Sequence, residues 1–220
     1  MTRRELAALI DHAVLQPEAR EADILTGVEV VLRWGIGHYC VKPTYVVIAA
    51  EALHDSGAGV VSVIGFPHGT ERTPVKVQAA ELAVEEGAGE LGLMLNIGLI
   101  RSGHTKAVAA EIADVVQAVP GIPVQVTLET AVLTPAETRL ACRLAVEAGA
   151  EGVETSSGFH PAGGASATAV RLLRETLGPR LAVKAAGGIR SLAIALAMLE
   201  AGASRLSTPT SAAILSSCRD

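Results

Sequence analysis

The 220-residue sequence predicts a single-domain (β/α)8 barrel spanning residues 1–220, with a short N-terminal helix. Three observations predict it. Eight short apolar segments recur roughly every 28 residues, about the length of one β-then-α unit in a compact barrel. The stretches between them carry amphipathic helical patterning. Gly-Ala pairs at 57–58, 87–88, 149–150 and 202–203 each follow a helical pattern and precede an apolar segment, as expected where glycine closes a last helical turn before the chain re-enters a sheet. A doubly wound open sheet is the structural runner-up. It would carry a Gly-rich fingerprint after the first strand, and Asp11-His-Ala-Val-Leu15 has none.

In chain order, Thr2-x-x-Glu5 reads as the capping box of a helix that plugs the barrel base. Strands are expected around Leu9–His12, Ile36–Val41, Val60–Ile64, Glu90–Met94, Val124–Glu129, Glu151–Glu154, Leu181–Lys184 and Ser204–Ser207. Pro43, Pro74 and Pro135 sit where first helical turns should begin, because a first turn has no use for their missing N–H.

Half of the residues are apolar and 19% are charged, a composition for one large core rather than for disorder. Aromatics are only 2% of the chain, which leaves the core volume to Ala, Val, Leu and Ile. A net charge of −5 offers no basic footprint for nucleic acid or an anionic membrane. Cys40, Cys142 and Cys218 are scattered, odd in number and without paired ligand spacing, which fits free thiols in a reducing compartment. Glu5 and Asp11 interrupt any apolar stretch behind the N-terminus, and no apolar run approaches the ~20 residues of a bilayer span. The expectation is a cytoplasmic protein without membrane or nucleic-acid partners.

Active sites of such barrels lie at the C-terminal ends of the strands. The polar residues expected there are Asp11 and His12, Lys42, His68, Asn96, Glu129, Glu154, Ser156, His160 and Lys184. Each has a plainer reading. Asn96 and Glu129 would suit hydrogen bonds to loop amides, His68 and His160 would suit solvated loops, and Lys42 would suit a loop edge. Lys184 is different: inside Ala-Val-Lys-Ala-Ala on a central strand, an ammonium is costly unless paired or functional. Gly187-Gly188 before Arg190-Ser191 offers backbone N–H groups at a helix start, a generic anion cradle.

Several segments in order resemble the deoxyribose-phosphate aldolase family over nearly the whole chain. Ile10-Asp11-His12 is similar to the family's Ile-Asp-His-Thr, and Cys40-Val-Lys-Pro-Thr-Tyr-Val46 to Cys-Val-Asn-Pro-x-Tyr-Val. Val63-Ile-Gly-Phe-Pro-His-Gly69 resembles Val-Ile-Gly-Phe-Pro-Leu-Gly, and Leu128-Glu-Thr-Ala-Val-Leu-Thr134 resembles Leu-Glu-Thr-Cys-Leu-Leu-Thr. Glu151-Gly-Val-Glu-Thr-Ser-Ser-Gly-Phe159 and Leu181-Ala-Val-Lys-Ala-Ala-Gly-Gly-Ile-Arg190 look like the family's last catalytic strands.

The resemblance implies a Schiff-base lysine on strand 6, an assisting lysine on strand 7 and a proton-relay aspartate on strand 4. Here strand 6 carries Glu154, strand 4 carries Gly92 and only Lys184 remains. The substrate-contacting Thr after the opening His is Ala13. The closing Gly-Thr-Ser-Ser of the phosphate site has become Ser207-Thr-Pro-Thr210, in which Pro209 lacks an N–H donor.

The chain has four lysines, at 42, 76, 106 and 184, and the patterning puts Lys76 and Lys106 on outer helices. A relocated Schiff base would therefore use Lys184 or Lys42. An unperturbed lysine of pKa ≈ 10.4 is neutral in only about one molecule in 2,500 at pH 7, and a carboxylate on the adjacent strand favours the ammonium further.

The leading expectation is thus a diverged lyase without Schiff base. Glu154 and Lys184 would act as base and oxyanion partner, His12, His68 or His160 would pass protons, Lys42 is a candidate compensating catalytic group, and Asp11, Asn96, Glu129, Ser156, His160, Gly187, Gly188 and Arg190 would hold a small, optionally phosphorylated, polyhydroxylated carbonyl compound. A class I aldolase with a displaced lysine is the second reading, and a non-catalytic binding barrel the third. No cofactor is expected. A metal-dependent aldolase built on His12, Glu129, Glu154 and His160 lacks tight ligand spacing. By the resemblance, a homodimer or homotetramer is expected.

Overall fold

The computed structural model describes residues 1–218 and shows a closed barrel of eight parallel strands in sequential order. These are β1 (Ile10–Val14), β2 (His38–Val41), β3 (Gly59–Ile64), β4 (Glu90–Met94), β5 (Val124–Thr127), β6 (Gly152–Glu154), β7 (Ala182–Ala186) and β8 (Arg205–Thr208). β1 pairs with β8 through Ile10–Leu206, Asp11–Ser207 and His12–Thr208, which closes the cylinder. All eight expected strands are present: β4 has the expected bounds, and no end of the others is shifted by more than two residues.

The helices are α1 (Arg3–Ala8), α2 (Glu21–Trp34), α3 (Val46–Leu53), α4 (Thr73–Glu85), α5 (Ile97–Arg101), α6 (Thr105–Ala118), α7 (Pro135–Glu147), α8 (Ala167–Leu177), α9 (Leu192–Glu200) and α10 (Ser211–Ser216). The capping box of α1 forms: Glu5 N–H donates to Thr2 Oγ1 at 3.2 Å, and Thr2 N–H donates to Glu5 Oε2 at 2.7 Å. α1 buries Leu6 and Ala7, and the N–H of Gly37, just before β2, donates to Ala7 O at 3.1 Å. A Cβ on Gly37 would lie 2.5 Å from Ala8 O, so this approach of helix to strand requires glycine.

Three of the Gly-Ala pairs close helices as expected. Gly87, Gly149 and Gly202 have φ of 107°, 94° and 109°, and the alanine after each donates its N–H to the carbonyl five residues back, at Ala83, Ala145 and Met198. This is the Schellman geometry, in which a left-handed residue satisfies carbonyls the helix leaves open. Gly57 also has positive φ but follows a turn beyond the end of α3. Pro135 is the first residue of α7 and Pro74 the second of α4, while Pro43 opens a short 3-10 turn before α3.

Apolar burial falls in two places. The larger core lies between sheet and helices and includes Ile10, Leu91, Leu93, Val153, Val183 and Leu206 from the strands. A smaller one, Ala13, Leu15, Cys40, Val61 and Val63, with Phe66 packed against it, fills the barrel interior on the β1–β3 side. Strand alternation sends side chains of one parity into each core. No helix among the described residues is long and apolar enough to cross a membrane.

Candidate active site

The inward parity of β1, β4, β7 and β8 carries charge. Lys184 Nζ lies 2.7 Å from Asp11 Oδ2 and 2.9 Å from Glu90 Oε1. Arg205 spans the same two carboxylates, at 2.6 Å from Asp11 and 2.5 Å from Glu90. Two cations and two anions thus close a ring inside the barrel, with His38 Nδ1 a further 3.6 Å from Asp11. Asp11 is fully buried and Lys184 only 2% exposed. Burial alone would raise the Asp11 and Glu90 carboxyls, but Lys184 and Arg205 hold both below the ordinary carboxylate range. Burial would likewise lower Lys184. The carboxylates of Asp11, Glu90 and Glu154 outweigh it and hold the ammonium well above the usual lysine range.

Above this ring, at the C-terminal mouth, opens a cavity of about 220 Å3. Ala13, Leu15, Cys40, Val63 and Phe66 make its apolar side, and Ser156, Gly187, Gly188, Arg190 and Ser207 its polar side. Among the described residues, Glu154 is the only carboxylate lining it. Glu154 stands opposite Lys184 in the β6–β7 register, and its Oε2 accepts a 2.7 Å hydrogen bond from Thr127 Oγ1. Burial pushes the Glu154 carboxyl above its ordinary value, against the pull of Lys184 and of the Thr127 hydrogen bond. The Cys40 thiol, also buried, is held neutral by its surroundings. Such a cavity is smaller than the roughly 300–1,000 Å3 of sites for drug-sized ligands, and it suits a molecule of a few carbon atoms.

The sequence-expected residues divide into three groups. Glu154, Ser156, Gly187, Gly188 and Arg190 line the cavity together. Lys184 and Asp11 lie in the charged ring and do not line it. The remaining five, His12, Lys42, Asn96, His160 and Glu129, lie elsewhere. His12, expected at the mouth, has the opposite strand parity and faces the helices: its Nδ1 is 2.8 Å from Ser211 Oγ of α10 and its ring stacks on Tyr39. Burial lowers its pKa to about 4, so it is a neutral packing residue. Lys42 lies outside the cavity and donates to the carbonyls of Gln16 and Pro17 at 2.6 and 3.2 Å, holding the β1–α2 loop. Asn96 caps α5, its Oδ1 accepting from Leu99 N–H at 3.2 Å, and His160 is an exposed loop residue whose Nδ1 accepts from Ala162 N–H.

Glu129 is buried outside the cavity, with Oε2 accepting from the N–H and hydroxyl of Ser157. Lys76 lies on the outer helix α4 as expected, but its side chain is buried, with Nζ meeting Glu111 at 2.7 Å and the Gly69 and Met94 carbonyls. The sequence reading missed Glu90, Arg205 and Thr127 as partners of the site. Parity was the available signal, since Glu90 stands two residues before Gly92 and Arg205 two before Ser207. Among the described residues, no group of three His, Cys, Asp or Glu side chains is placed to hold a metal ion.

No family model matches the chain. Curated relatives do. The chain is 45% identical to the deoxyribose-phosphate aldolase of Frankia alni, over 98% of each chain. It is 44% identical to that of Methanothermobacter thermautotrophicus, over 99% of this chain and 97% of the relative. Among solved structures, the tetrameric deoxyribose-phosphate aldolase of Aeropyrum pernix superposes with a TM-score of 0.91 at 30% identity, covering 98% of this chain and 92% of that one. An aldolase called QR15 superposes at 0.92 with 35% identity, covering 96% and 95%. Relatives this similar, matched from end to end, mean that the chain belongs to the deoxyribose-phosphate aldolase family.

Proposed function

We propose that the protein is a lyase that cleaves a small polyhydroxylated carbonyl compound by acid–base chemistry at Glu154, without a Schiff base. One observation carries the reading: a carboxylate with a raised pKa stands in the cavity, while Lys184 is bound as an ammonium between Asp11 and Glu90. A carboxyl raised above its ordinary value is a stronger base when ionised and can return the proton it takes.

In the retro-aldol direction the Glu154 carboxylate removes the proton of the substrate's β-hydroxyl. The C–O bond becomes a carbonyl as the adjacent C–C bond breaks, and its electron pair moves into an enolate. Glu154, now protonated, returns the proton to the enolate carbon, so an aldehyde and a shorter carbonyl compound leave. The wall hydroxyl of Ser207 would serve the oxygen that gains charge, and the Lys184 ammonium beneath Glu154 adds positive potential without contacting the substrate. Arg190 and the N–H groups of Gly187 and Gly188 suit an anionic, phosphorylated end. Pro209 supplies no N–H, so that end would be held by fewer donors than the family pattern implies.

A displaced Schiff base is disfavoured on both lysines, because Lys184 is paired and Lys42 lies outside the cavity. Cleavage of 2-deoxyribose 5-phosphate is expected to run more than tenfold below that of the Frankia alni relative assayed alongside. Borohydride added with any turned-over sugar phosphate should leave no mass adduct. An adduct on Lys184 or Lys42 would establish the class I mechanism instead.

Assembly as a homo-oligomer, most simply a C2 dimer, is proposed from the apolar side chains on the helical ring, including the half-exposed Leu25, Leu32 and Val47. Light scattering at micromolar concentration should give at least twice the monomer mass of 22.5 kDa; a monomer would refute it.

A further inference from the structure

We propose that Glu129 is a positioning residue. It lies outside the cavity but fixes the wall segment 155–159, and so presents the Ser156 hydroxyl to a hydroxyl of the substrate. The inference rests on the reading of the cavity as a sugar-phosphate site.

Glu129 combines two features that a purely structural position does not keep. Its φ of 59° and ψ of 57° place a non-glycine residue in the left-handed region, and its side chain is buried with Oε1 lacking any hydrogen-bond partner. Left-handed backbone and orphaned buried oxygens are both unfavourable, and they persist where geometry is being enforced. What the residue gains is a grip on the next strand's loop. Oε2 accepts the Ser157 N–H at 3.2 Å and the Ser157 hydroxyl at 2.5 Å.

The gripped segment is fastened at both ends. Before it, the Thr155 hydroxyl donates to Ala186 O at 3.1 Å and accepts the Ala186 N–H at 2.9 Å, and Thr155 O accepts Thr130 N–H at 2.8 Å. After it, Gly158 packs so closely on Gly187 that a Cβ on Gly187 would lie 3.1 Å from the Gly158 Cα. Between these anchors sits Ser156, which is fully buried, lines the cavity two residues beyond Glu154 and has no partner for its Oγ. An unpaired buried hydroxyl at a cavity wall offers a hydrogen bond to a polar ligand atom. Ser157 is the handle by which Glu129 orients that hydroxyl, and through Gly158 it also sets the position of Gly187 in the anion cradle.

The test compares wild type with Glu129→Ala, Glu129→Gln and Ser156→Ala, reading amide hydrogen exchange, melting temperature and calorimetric affinity for 2-deoxyribose 5-phosphate and for inorganic phosphate. Glu129→Ala should accelerate exchange at least tenfold in residues 155–159 while leaving 97–118 unchanged, and should weaken sugar-phosphate binding about tenfold. Glu129→Gln keeps the acceptor oxygen and should restore both, which a general loss of stability would not do. Ser156→Ala should weaken the sugar phosphate by a similar factor with exchange unaltered and with phosphate affinity retained.

Unchanged exchange in 155–159 for Glu129→Ala, or acceleration spread evenly over the barrel, overturns the positioning role. Full sugar-phosphate affinity in Ser156→Ala overturns the recognition role. If wild type binds neither probe, the sugar-phosphate reading fails and the recognition role with it, while the exchange comparison still decides whether Glu129 fixes the segment.

Discussion

Replacing Lys184 by methionine should destabilise the protein by about 3–5 kcal/mol, the range for removing one partner of a buried ion pair. Methionine fills most of the lysine stem's volume, so the loss reports charge rather than a hole. In the native barrel Lys184 and Arg205 balance Asp11 and Glu90. Without Lys184 both carboxylates depend on Arg205, with Glu154 adding a third negative charge nearby. The pH dependence follows from the direction of the shifts. Asp11 and Glu90 have carboxyls depressed in the folded state, so their contribution is present above the ordinary carboxylate values and disappears as pH falls through the depressed ones. In the variant those carboxyls rise, and the deficit against wild type should shrink as acid neutralises them. Urea unfolding at pH 7 and pH 4.5 measures both effects. A deficit under 1 kcal/mol at pH 7 would mean that Lys184 is kept for chemistry alone and that the ring contributes little to folding.

This ring also marks where sequence reading stopped. The barrel was legible because period, Schellman glycines and proline-led helices all specify the same architecture independently. The cavity residues Glu154, Ser156, Gly187, Gly188 and Arg190 were legible because they follow strands, where such folds place their sites. Position in sequence does not carry side-chain direction, which decides which residues meet inside the barrel. His12 adjoins Asp11 in sequence yet points to the opposite face of β1, because neighbouring strand residues alternate. Lys184 was read as a partner of Glu154 because the strands are adjacent. Its ammonium instead meets Glu90 from across the barrel, ninety-four residues away, a contact that depends on closure and not on any local pattern. For Lys42 the loop-edge expectation holds rather than that of a substitute nucleophile: its long flexible stem ends on two carbonyls of the β1–α2 loop.

Glu154→Gln should lower turnover by about 100- to 10,000-fold, the usual contribution of a general base, and should at the same time raise the melting temperature near neutral pH. The two effects have one cause. Burial raises the Glu154 carboxyl, so its ionised form is less stable in the folded protein than in the unfolded chain. A carboxyl with a raised folded pKa favours folding only where it is protonated, and this contribution is lost as pH rises through the folded value. At neutral pH the carboxylate therefore weakens the fold, and a neutral amide of nearly equal shape that still accepts from Thr127 relieves it. The gain should appear as a higher melting temperature at pH 7 and should shrink in acid, as the wild-type carboxyl becomes protonated.

In wild type, kcat/KM should fall with acid along a limb lying above the ordinary carboxylate range, and that limb should be absent from the residual activity of the glutamine variant. The complementary substitution is Glu154→Lys with Gly92→Asp. A Cβ on Gly92 meets nothing closer than 3.8 Å, so the first side-chain carbon is accommodated. The new lysine would face the Lys184 ammonium, which depresses its pKa, and borohydride trapping on residue 154 should appear where wild type shows none. If Glu154→Gln keeps wild-type turnover, or loses it together with several degrees of stability at pH 7, Glu154 is not the base and the acid–base reading of the cavity falls.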